Sequence, residues 1–261
     1  MDLKDSTILI TGGTSGIGLE LVKQLIQQGS TIIVTGRKQE ALDDTKRHYP
    51  KIHIFQSDVS NPHDIERLYE KVIQQFPDLH IIINNAGEMR LLDLLNADKG
   101  MENIIREIDI NLTGTIRMVH QFLPHLIKKR SAAIVNVSSA IAFTPYSTAP
   151  VYSASKAGVH AYTQALRLQL HKTSVKVFEL IPPGVKTNLQ NDWVLPPNDG
   201  QMMDADKLVN VAIKGLLKDT PEIKPPLVNV IKLLSRLMPK QFMKFGHKEF
   251  EKFQKLNKQA K

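Results

Sequence analysis

Cysteine is absent from the 261-residue chain. Disulfide bonds, thiolate catalysis and cysteine-ligated metal sites are thereby excluded, and the absence is typical of a reducing compartment. Long apolar stretches are lacking too, since no run reaches the roughly 18 residues that a membrane-spanning helix needs. The opening segment, MDLKDSTILI, lacks the basic stretch and the apolar core of a signal peptide. We therefore expect a soluble, cytoplasmic protein.

Most of the chain also lacks an excess of charge. The formal net charge is +8, and residues 223–261, with ten Lys or Arg and two Glu, account for all of it. Residues 1–222 are therefore neutral overall, which argues against a general nucleic-acid-binding surface. We divide the chain at this boundary into a nucleotide-binding and catalytic domain over 1–222 and a basic C-terminal extension over 223–261.

Short apolar runs alternate with helical patterns along the first domain. Such runs predict strands buried on both faces, and their alternation with helices predicts an α/β fold whose parallel sheet lies between two helical layers. The predicted strands are Thr7–Thr11, Thr31–Thr35, Ile52–Gln56, Leu79–Ile83, Ala133–Val137 and Val175–Leu180. The predicted helices are Ile17–Gln28, Pro62–Phe76, about 98–129 and about 152–170.

A glycine-rich loop connects the first predicted strand to the first predicted helix, and its sequence is Thr11-Gly12-Gly13-Thr14-Ser15-Gly16-Ile17-Gly18. Glycines let the backbone approach a pyrophosphate closely, and the helix N-terminus offers free N–H groups to the anion. An ordinary glycine-rich turn is the alternative. The flanking strand and helix favour a dinucleotide site.

Tyr152 and Lys156 open a later predicted helix, where a spacing of four residues places both on one face. A nearby ammonium and an oxidised nicotinamide would both lower the pKa of the tyrosine, which could then donate or accept a proton near neutral pH. Exposed pairs of this type are common, so the pair alone is weak evidence. Ser139 strengthens this evidence, because the serine follows directly after a predicted strand, and α/β proteins bind ligands beyond the carboxyl ends of their strands.

These motifs together resemble the classical branch of the short-chain dehydrogenase/reductase family over about residues 5–190. The resemblance implies a Rossmann-type doubly wound sheet and an oxidoreductase that moves a hydride between NADP(H) and a carbonyl or alcohol substrate. Tyr152 would be the general acid/base, Ser139 would orient the substrate oxygen, and Lys156 would contact the tyrosine and the nicotinamide ribose. Asn111 would hold a water in a proton relay to the lysine, with a capping or solvent-facing asparagine as the alternative.

Within the family, the chain looks like the reductases associated with the D-alanine–lipoteichoic acid operon of Gram-positive bacteria, on the basis of Pro182-Pro183. Pro183 stands where the family has glycine, which stiffens the loop entering the nicotinamide site. The resemblance also implies further cofactor contacts, namely Asp58 and Val59 at the adenine, Asn85, Ala86 and Gly87 at the ribose, and Val185 and Thr187 at the carboxamide and a phosphate. For Asp58, a turn or helix-capping aspartate is the alternative.

The end of the second predicted strand favours NADP(H) over NAD(H). An acidic residue there would bind both ribose hydroxyls of NAD(H), but the position holds Gly36 and is followed by Arg37. A guanidinium at this place can bind the 2′-phosphate, whereas a solvated arginine at a helix start is the alternative. No metal is expected, since the histidines are scattered without metal-ligand spacing.

The resemblance implies a small-molecule substrate and a homodimer or homotetramer built on the predicted helices 98–129 and 152–170. A non-catalytic NADP(H)-binding regulatory or interaction protein on the same fold is the alternative function. The segment from Asn188 to about Ala205 would close the substrate pocket. Its Trp193 and Leu195 suggest a partly apolar substrate, while its prolines equally suit a mobile lid.

The basic extension leaves two interpretations open. Apolar residues recur at helical spacing from Leu227 to Met238 and again from Phe242 to Leu256, among lysines. These helices could pack on the domain or on a partner subunit, with solvated lysines outside. Alternatively, apolar bulk beside a basic face is typical of an amphipathic helix on an anionic membrane surface. At the boundary between the first domain and the extension, Pro221-Glu222-Ile223-Lys224 predicts a short edge strand.

Overall fold

The computed structural model describes residues 2–95, 100–190, 193, 200 and 202–259, except the side chains of 245–246 and 257–259. Within this part of the chain, seven parallel strands form one sheet in the order β3-β2-β1-β4-β5-β6-β7. The strands are β1 (Thr7–Thr11), β2 (Thr31–Gly36), β3 (His53–Gln56), β4 (Leu79–Asn84), β5 (Ala132–Val137), β6 (Val175–Leu180) and β7 (Glu222–Ile223).

Helices connect the strands and continue beyond the last one. They are α1 (Gly16–Gln27), α2 (Gln39–His48), α3 (Pro62–Gln75), α4 (Met101–Glu107), α5 (Gly114–Leu126), α6 (Pro150–Gln169), α7 (Ala205–Leu217), α8 (Pro226–Leu237) and α9 (Pro239–Gln259). A π-helical turn, Ile108–Thr113, joins α4 to α5. The predicted α/β doubly wound fold with a C-terminal helical extension is confirmed.

The sheet separates two apolar cores. In β1, Ile8 and Ile10 face the layer that contains α1 and α7, whereas Leu9 faces the layer of α3, α5 and α6. All three side chains are fully buried. Because both faces of the strand are covered, its sequence is a continuous apolar run rather than an alternating one.

The direction of strand order reverses between β1 and β4. Strand β1 pairs in parallel with β2 on one side and with β4 on the other. The loops after β1 and β4 therefore diverge and leave a crevice at the carboxyl ends of the strands, where α/β proteins bind ligands. This topology places the glycine-rich loop beside the segment that follows β4.

The long helix predicted over about 98–129 is interrupted in the structure. Its described part consists of α4, the π turn and α5, and residues 98–99 lie outside the described residues. A π turn inserts one extra residue into a helix and often marks a functional site. Two further helices, α2 and α7, are missing from the helices predicted above. Helix α2 has few buried positions, which explains its weak signal. Helix α7 has a clear apolar stripe that the prediction overlooked.

The C-terminal extension packs on the first domain. In α8, Val228 is buried against Ala140 and Ile181, and in α9 Phe253 is buried as well. Gln254 of α9 donates a hydrogen bond to the carboxylate of Asp93 at 3.1 Å. The packing interpretation therefore describes the inner faces of these helices. Among the described residues, no helix combines the length and apolarity needed to cross a membrane.

The burial of the α5 layer generates a stability prediction. Leu126→Ala removes a fully buried side chain, so we expect unfolding free energy to fall by about 2–5 kcal/mol through lost burial and a residual cavity. Leu168→Ala is the matched control, because that leucine is 74% exposed and its loss should cost less than about 0.5 kcal/mol. Urea titrations of both variants measure the difference, and equal losses would contradict the assigned packing.

Candidate active site

A cleft of about 1140 Å³ opens at the carboxyl ends of the strands. Most residues that the sequence assigns to catalysis or cofactor binding line this cleft. They are Gly12, Thr14, Ser15, Gly16, Ile17, Arg37, Asp58, Val59, Asn85, Ala86, Gly87, Ser139, Tyr152, Lys156, Val185 and Thr187. The other three candidates, Thr11, Gly18 and Asn111, belong to the structure behind the cleft wall.

Close backbone contacts shape the glycine-rich loop. Gly12 has a φ of +65°, and a Cβ at this position would lie 2.9 Å from the Cα of Ala86. A Cβ on Gly18 would lie only 2.2 Å from the carbonyl oxygen of Gly12. The loop can therefore approach β4 and the start of α1 only because side chains are missing here, which leaves the N-terminus of α1 open to an anion.

Thr11 and Asn85 hold the loop in place from behind. The Thr11 hydroxyl accepts hydrogen bonds from the backbone N–H groups of Asn85 and Ala86, both at 3.0 Å. In return, the Asn85 amide donates to the carbonyl oxygens of Thr11 and Gly12, both at 3.1 Å. The side-chain amide of Asn85 is thus engaged in positioning the loop, rather than directed at a ligand.

Arg37 lies at the cleft with a carboxylate partner that the sequence did not reveal. Its guanidinium is 3.6 Å from Glu88, which also pairs with Arg90 at 3.1 Å and with Arg106 at 3.2 Å. Arg37 remains 43% exposed and is therefore accessible to a phosphate. Its weak single contact with Glu88 is one that an anionic ligand can replace.

Asp58 lines the cleft and also makes the local bonds of a turn. Its Oδ1 accepts hydrogen bonds from the backbone N–H of Ser60 at 2.9 Å and from the Ser60 hydroxyl at 2.7 Å. These contacts match the turn alternative raised by the sequence. Asp58 lines the cleft next to Val59, so the turn role does not exclude a contact with the adenine.

Lys156 and Tyr152 lie side by side at the floor of the cleft. The Lys156 ammonium donates to the carbonyl oxygen of Val137 at 2.9 Å, and its Nζ is 5.7 Å from the centre of the Tyr152 ring. Only 4% of the lysine and 7% of the tyrosine are exposed. The Ser139 side chain lies close enough to the Tyr152 hydroxyl to act on its pKa. The structure thus brings three of the four proposed catalytic residues together.

Burial shifts the pKa values of this pair in opposite directions. It raises the pKa of Tyr152 to about 12, against the effect of Ser139, and the nearby Glu107 adds to the rise. Burial also lowers the pKa of Lys156 to about 8. In the protein alone, desolvation thus dominates the pKa of Tyr152, and the lowering expected from the ammonium together with an oxidised nicotinamide stays a prediction.

The two adjacent serines face different partners. The Ser138 hydroxyl donates to the fully buried carboxylate of Glu179, which also contacts His160 at 2.9 Å. The Ser139 hydroxyl meets Tyr152 and accepts from the backbone N–H of Ile141 at 3.3 Å. Only the second serine is thus directed toward the tyrosine, which agrees with its assignment from the family pattern.

Asn111 sits in the π turn and is fully buried. Its amide donates to the carbonyl oxygen of Glu88 at 2.9 Å and to the Ser155 hydroxyl at 3.0 Å, and its Oδ1 accepts from the Glu88 N–H at 2.9 Å. A Cβ on Gly87 would lie 3.3 Å from that Oδ1 and 3.6 Å from the Lys156 Nζ. Asn111 therefore packs close behind the lysine and is neither a helix cap nor solvent-facing.

Glu107 is a buried carboxyl group that the sequence did not reveal. It is 3% exposed and accepts a hydrogen bond from the backbone N–H of Arg90. Burial raises its pKa to about 7, against that hydrogen bond and the charge of Arg90. The only signal in the sequence is an acidic residue one helical turn before Asn111.

The basic extension also forms part of the cleft. Phe242, Glu249 and Lys252 of α9 line it. Tyr146 lines the cleft as well, and its pKa is raised mainly by burial and also by the negative charge of Glu249. In the segment predicted to close the pocket, the Trp193 indole donates to the carbonyl of Met89 at 3.4 Å, while Leu195 lies outside the described residues. Within the described part, no group of acidic or histidine side chains could hold a metal ion.

Comparison with known proteins identifies the family. The model of the short chain dehydrogenase family matches residues 6–197. The chain belongs to the short-chain dehydrogenase family. It is 41% identical to the oxidoreductase DltE of Bacillus subtilis, over 72% of this chain and 75% of that protein. An oxidoreductase of Staphylococcus epidermidis is 34% identical, over 71% of this chain and 80% of that protein. The family and the closer resemblance to the operon-associated reductases are both confirmed.

Solved structures of the family agree with the fold. A short-chain dehydrogenase from Burkholderia cenocepacia in complex with NADP has a TM-score of 0.80 at 25% identity, covering 92% of this chain and 97% of that one. Another, from Sphingobium yanoikuyae in complex with NADPH, has a TM-score of 0.74 at 27% identity, covering 85% and 88% respectively. This family member is therefore an oxidoreductase whose structural neighbours bind nicotinamide cofactors.

The crowding at Gly18 generates a binding prediction. In Gly18→Ala, the added methyl group would lie only 2.2 Å from the Gly12 carbonyl oxygen. Because the loop must move to relieve this clash, NADPH affinity should fall at least about tenfold. Gly100→Ala is the control, because a Cβ there meets no atom within 4 Å. Fluorescence titration with NADPH measures both. Unchanged affinity in Gly18→Ala would show that the loop does not hold the cofactor.

The buried carboxyl of Glu107 generates a pH prediction. Its pKa rises from 4.5 to about 7 in the folded protein, so between these values the folded state keeps a proton that the unfolded chain has lost. The stability of the native protein should therefore fall relative to Glu107→Gln as pH rises through this window, by on the order of 3 kcal/mol.

Urea unfolding of the native protein and the variant, at a series of pH values across that window, measures the difference. Glu70→Gln serves as the control, because that side chain is exposed and forms no ion pair within the described part of the chain, so its replacement should give a difference that does not vary with pH. A flat difference for Glu107→Gln as well would mean that the carboxyl is not desolvated.

Proposed function

We propose that the protein is an NADP(H)-dependent reductase or dehydrogenase of C=O and CH–OH groups, with Tyr152 as general acid/base. One observation carries the proposal. The Tyr152 hydroxyl lies beside Ser139, and Tyr152 is one helical turn from Lys156, on the wall of a cleft that the glycine-rich loop also lines. A proton donor, an orienting hydroxyl and a phosphate cradle thus share a single cavity, as a hydride-transfer enzyme requires.

The residues of the cleft fit a dinucleotide with a 2′-phosphate. Side chains are excluded at Gly12 and Gly18, so the first turn of α1 can approach a pyrophosphate. Gly36 leaves the end of β2 without a carboxylate, and the exposed Arg37 guanidinium supplies positive charge there. Bound NADP(H) would supply or accept the hydride. A neighbour from Burkholderia phymatum is in complex with NAD, so the preference for NADP(H) rests on Gly36 and Arg37.

The catalytic side chains would divide the remaining tasks. Ser139 would hold the substrate oxygen next to the Tyr152 hydroxyl, and the raised pKa of about 12 keeps that hydroxyl protonated and ready to donate in the reducing direction. Lys156 has three N–H donors, of which Val137 uses one. The others can bind ribose hydroxyls, and the ammonium favours the tyrosinate left after proton donation.

The setting of the enzyme is part of the proposal. The substrate would be a small carbonyl or alcohol compound that enters the cleft, which is lined by Trp193 and by Phe242, Glu249 and Lys252 of α9. A cytoplasmic location and a homodimer or homotetramer stay predictions, the first from the absence of cysteine and the second from the family.

Removal of the Tyr152 hydroxyl tests the reaction. Tyr152→Phe keeps the ring and deletes the proton donor, so turnover of a panel of aldehydes and ketones with NADPH should fall by about 10²-fold or more while NADPH affinity changes little. Tyr162→Phe, a change of the same type on the same helix, should retain activity. A fully active Tyr152→Phe enzyme would refute the assigned role.

Exchange of the residues after β2 tests the cofactor preference. The double variant Gly36→Asp with Arg37→Ala adds a carboxylate for ribose hydroxyls and removes the phosphate partner, so the ratio of kcat/KM for NADPH over NADH should fall at least about tenfold. Arg47→Ala, which removes an arginine that is 76% exposed outside the cleft, is the control. Native enzyme with equal kcat/KM for both cofactors would contradict the preference.

A further inference from the structure

The outer face of α8 is apolar, although it faces away from the protein. Val230, Leu233 and Leu237 are 52%, 57% and 68% exposed. Their spacing of three and four residues places them in one row along the helix. We refer to these three side chains as the outer stripe. A row of this kind is unusual on a water-facing helix, where polar residues are expected.

The inner face of α8 is fixed, so the helix cannot turn the outer stripe inward. Val228 is fully buried against Ala140 and Ile181. The Lys232 ammonium pairs with Glu222 at 2.8 Å and lies 5.1 Å from the ring centre of Phe143. An apolar anchor and an ion pair thus hold the opposite side of the same helix.

Exposed positive charge follows the outer stripe along the chain. Arg236 ends α8, and Lys240 and Lys244 follow at the start of α9, all three exposed. They belong to the segment 223–261 that carries the entire net charge of +8. The exposed Met238 and Met243, at 44% and 54%, extend the apolar surface between these cations. An apolar row accompanied by cations fits a surface that carries negative charge outside and is apolar inside.

We propose that the outer stripe docks on an anionic lipid bilayer, with Arg236, Lys240 and Lys244 at the lipid headgroups. A second copy of the chain fits less well, because a two-fold contact through α8 would bring two strongly basic segments together. An anionic bilayer instead attracts each of these cations and accepts the stripe into its apolar layer. The proposal does not depend on the reaction that the enzyme catalyses.

The structure also locates the docking surface more narrowly than the sequence does. The sequence suggests the apolar residues of both helices, yet α9 turns Phe253 inward and lines the cleft with Phe242, Glu249 and Lys252. Helix α9 is therefore a wall of the cleft, and α8 is the surface that remains for a membrane. Because Leu227 and Ile231 of α8 also line the cleft, docking would place the cleft close to the bilayer.

The test is sedimentation of the full-length protein with vesicles at low salt. We expect the native protein to pellet with vesicles of equal parts phosphatidylcholine and phosphatidylglycerol, and much less with phosphatidylcholine alone. The variant Val230→Gln, Leu233→Gln, Leu237→Gln removes the outer stripe, and its partition coefficient for the mixed vesicles should fall roughly tenfold or more. A second variant, Arg236→Gln, Lys240→Gln, Lys244→Gln, should fall similarly and should lose most of the salt dependence.

The matched control replaces three exposed apolar residues elsewhere, Leu94→Gln, Leu95→Gln and Met101→Gln, at 59%, 82% and 68% exposure, and should pellet like the native protein. Circular dichroism and urea unfolding verify that each variant is folded. The proposal is wrong if the native protein stays in the supernatant with mixed vesicles, or if both tail variants pellet as it does. Light scattering gives a further test. The proposal is also wrong if the native protein does not bind vesicles and the stripe variant has half the mass of the native protein in solution, since a second copy would then cover α8.

Discussion

The hydrogen bond from the Lys156 ammonium to the carbonyl oxygen of Val137 is the contact on which the site depends. It joins the second turn of α6 to the last residue of β5, with a distance of 2.9 Å and almost no exposure of the lysine to solvent. Tyr152 lies one helical turn earlier and is thereby placed against Ser139, which follows β5 directly. The sheet, helix α6 and the Tyr152 hydroxyl are thus fixed relative to one another by one buried ammonium and its acceptor.

Burial of this pair sets its charge state. Desolvation disfavours both an ammonium and a tyrosinate, and it moves the two pKa values to about 8 and about 12. The negative charge of the nearby, buried Glu107 opposes the tyrosinate further. Without cofactor the site therefore favours a neutral phenol. A tyrosinate near neutral pH needs additional positive charge, and a bound oxidised nicotinamide would bring it beside the pair.

The parts of this site that lie close together in the chain could be predicted from the sequence. Apolar runs and helical spacing gave the parallel sheet, and the position of the glycines between strand and helix indicated the cradle. The rest depends on contacts between distant segments. Glu88 pairs with Arg37 and Arg106 only once the chain has folded. Asn111 lies in a π turn and donates a hydrogen bond to Ser155 of a later helix. Helix α9, at the far end of the chain, lines the same cleft. Local patterns carry no information about such pairings.

The most direct test of the account is a spectroscopic titration of Tyr152 with and without NADP⁺. The difference in tyrosinate absorbance between the native protein and Tyr152→Phe isolates this one hydroxyl. The account predicts no tyrosinate signal from Tyr152 in the free protein over the pH range in which it stays folded, and a signal well below its free pKa of about 12 once NADP⁺ is bound. An ionisation at the same pH in both states would contradict the claim that cofactor charge, acting beside Lys156, makes the buried tyrosine a base.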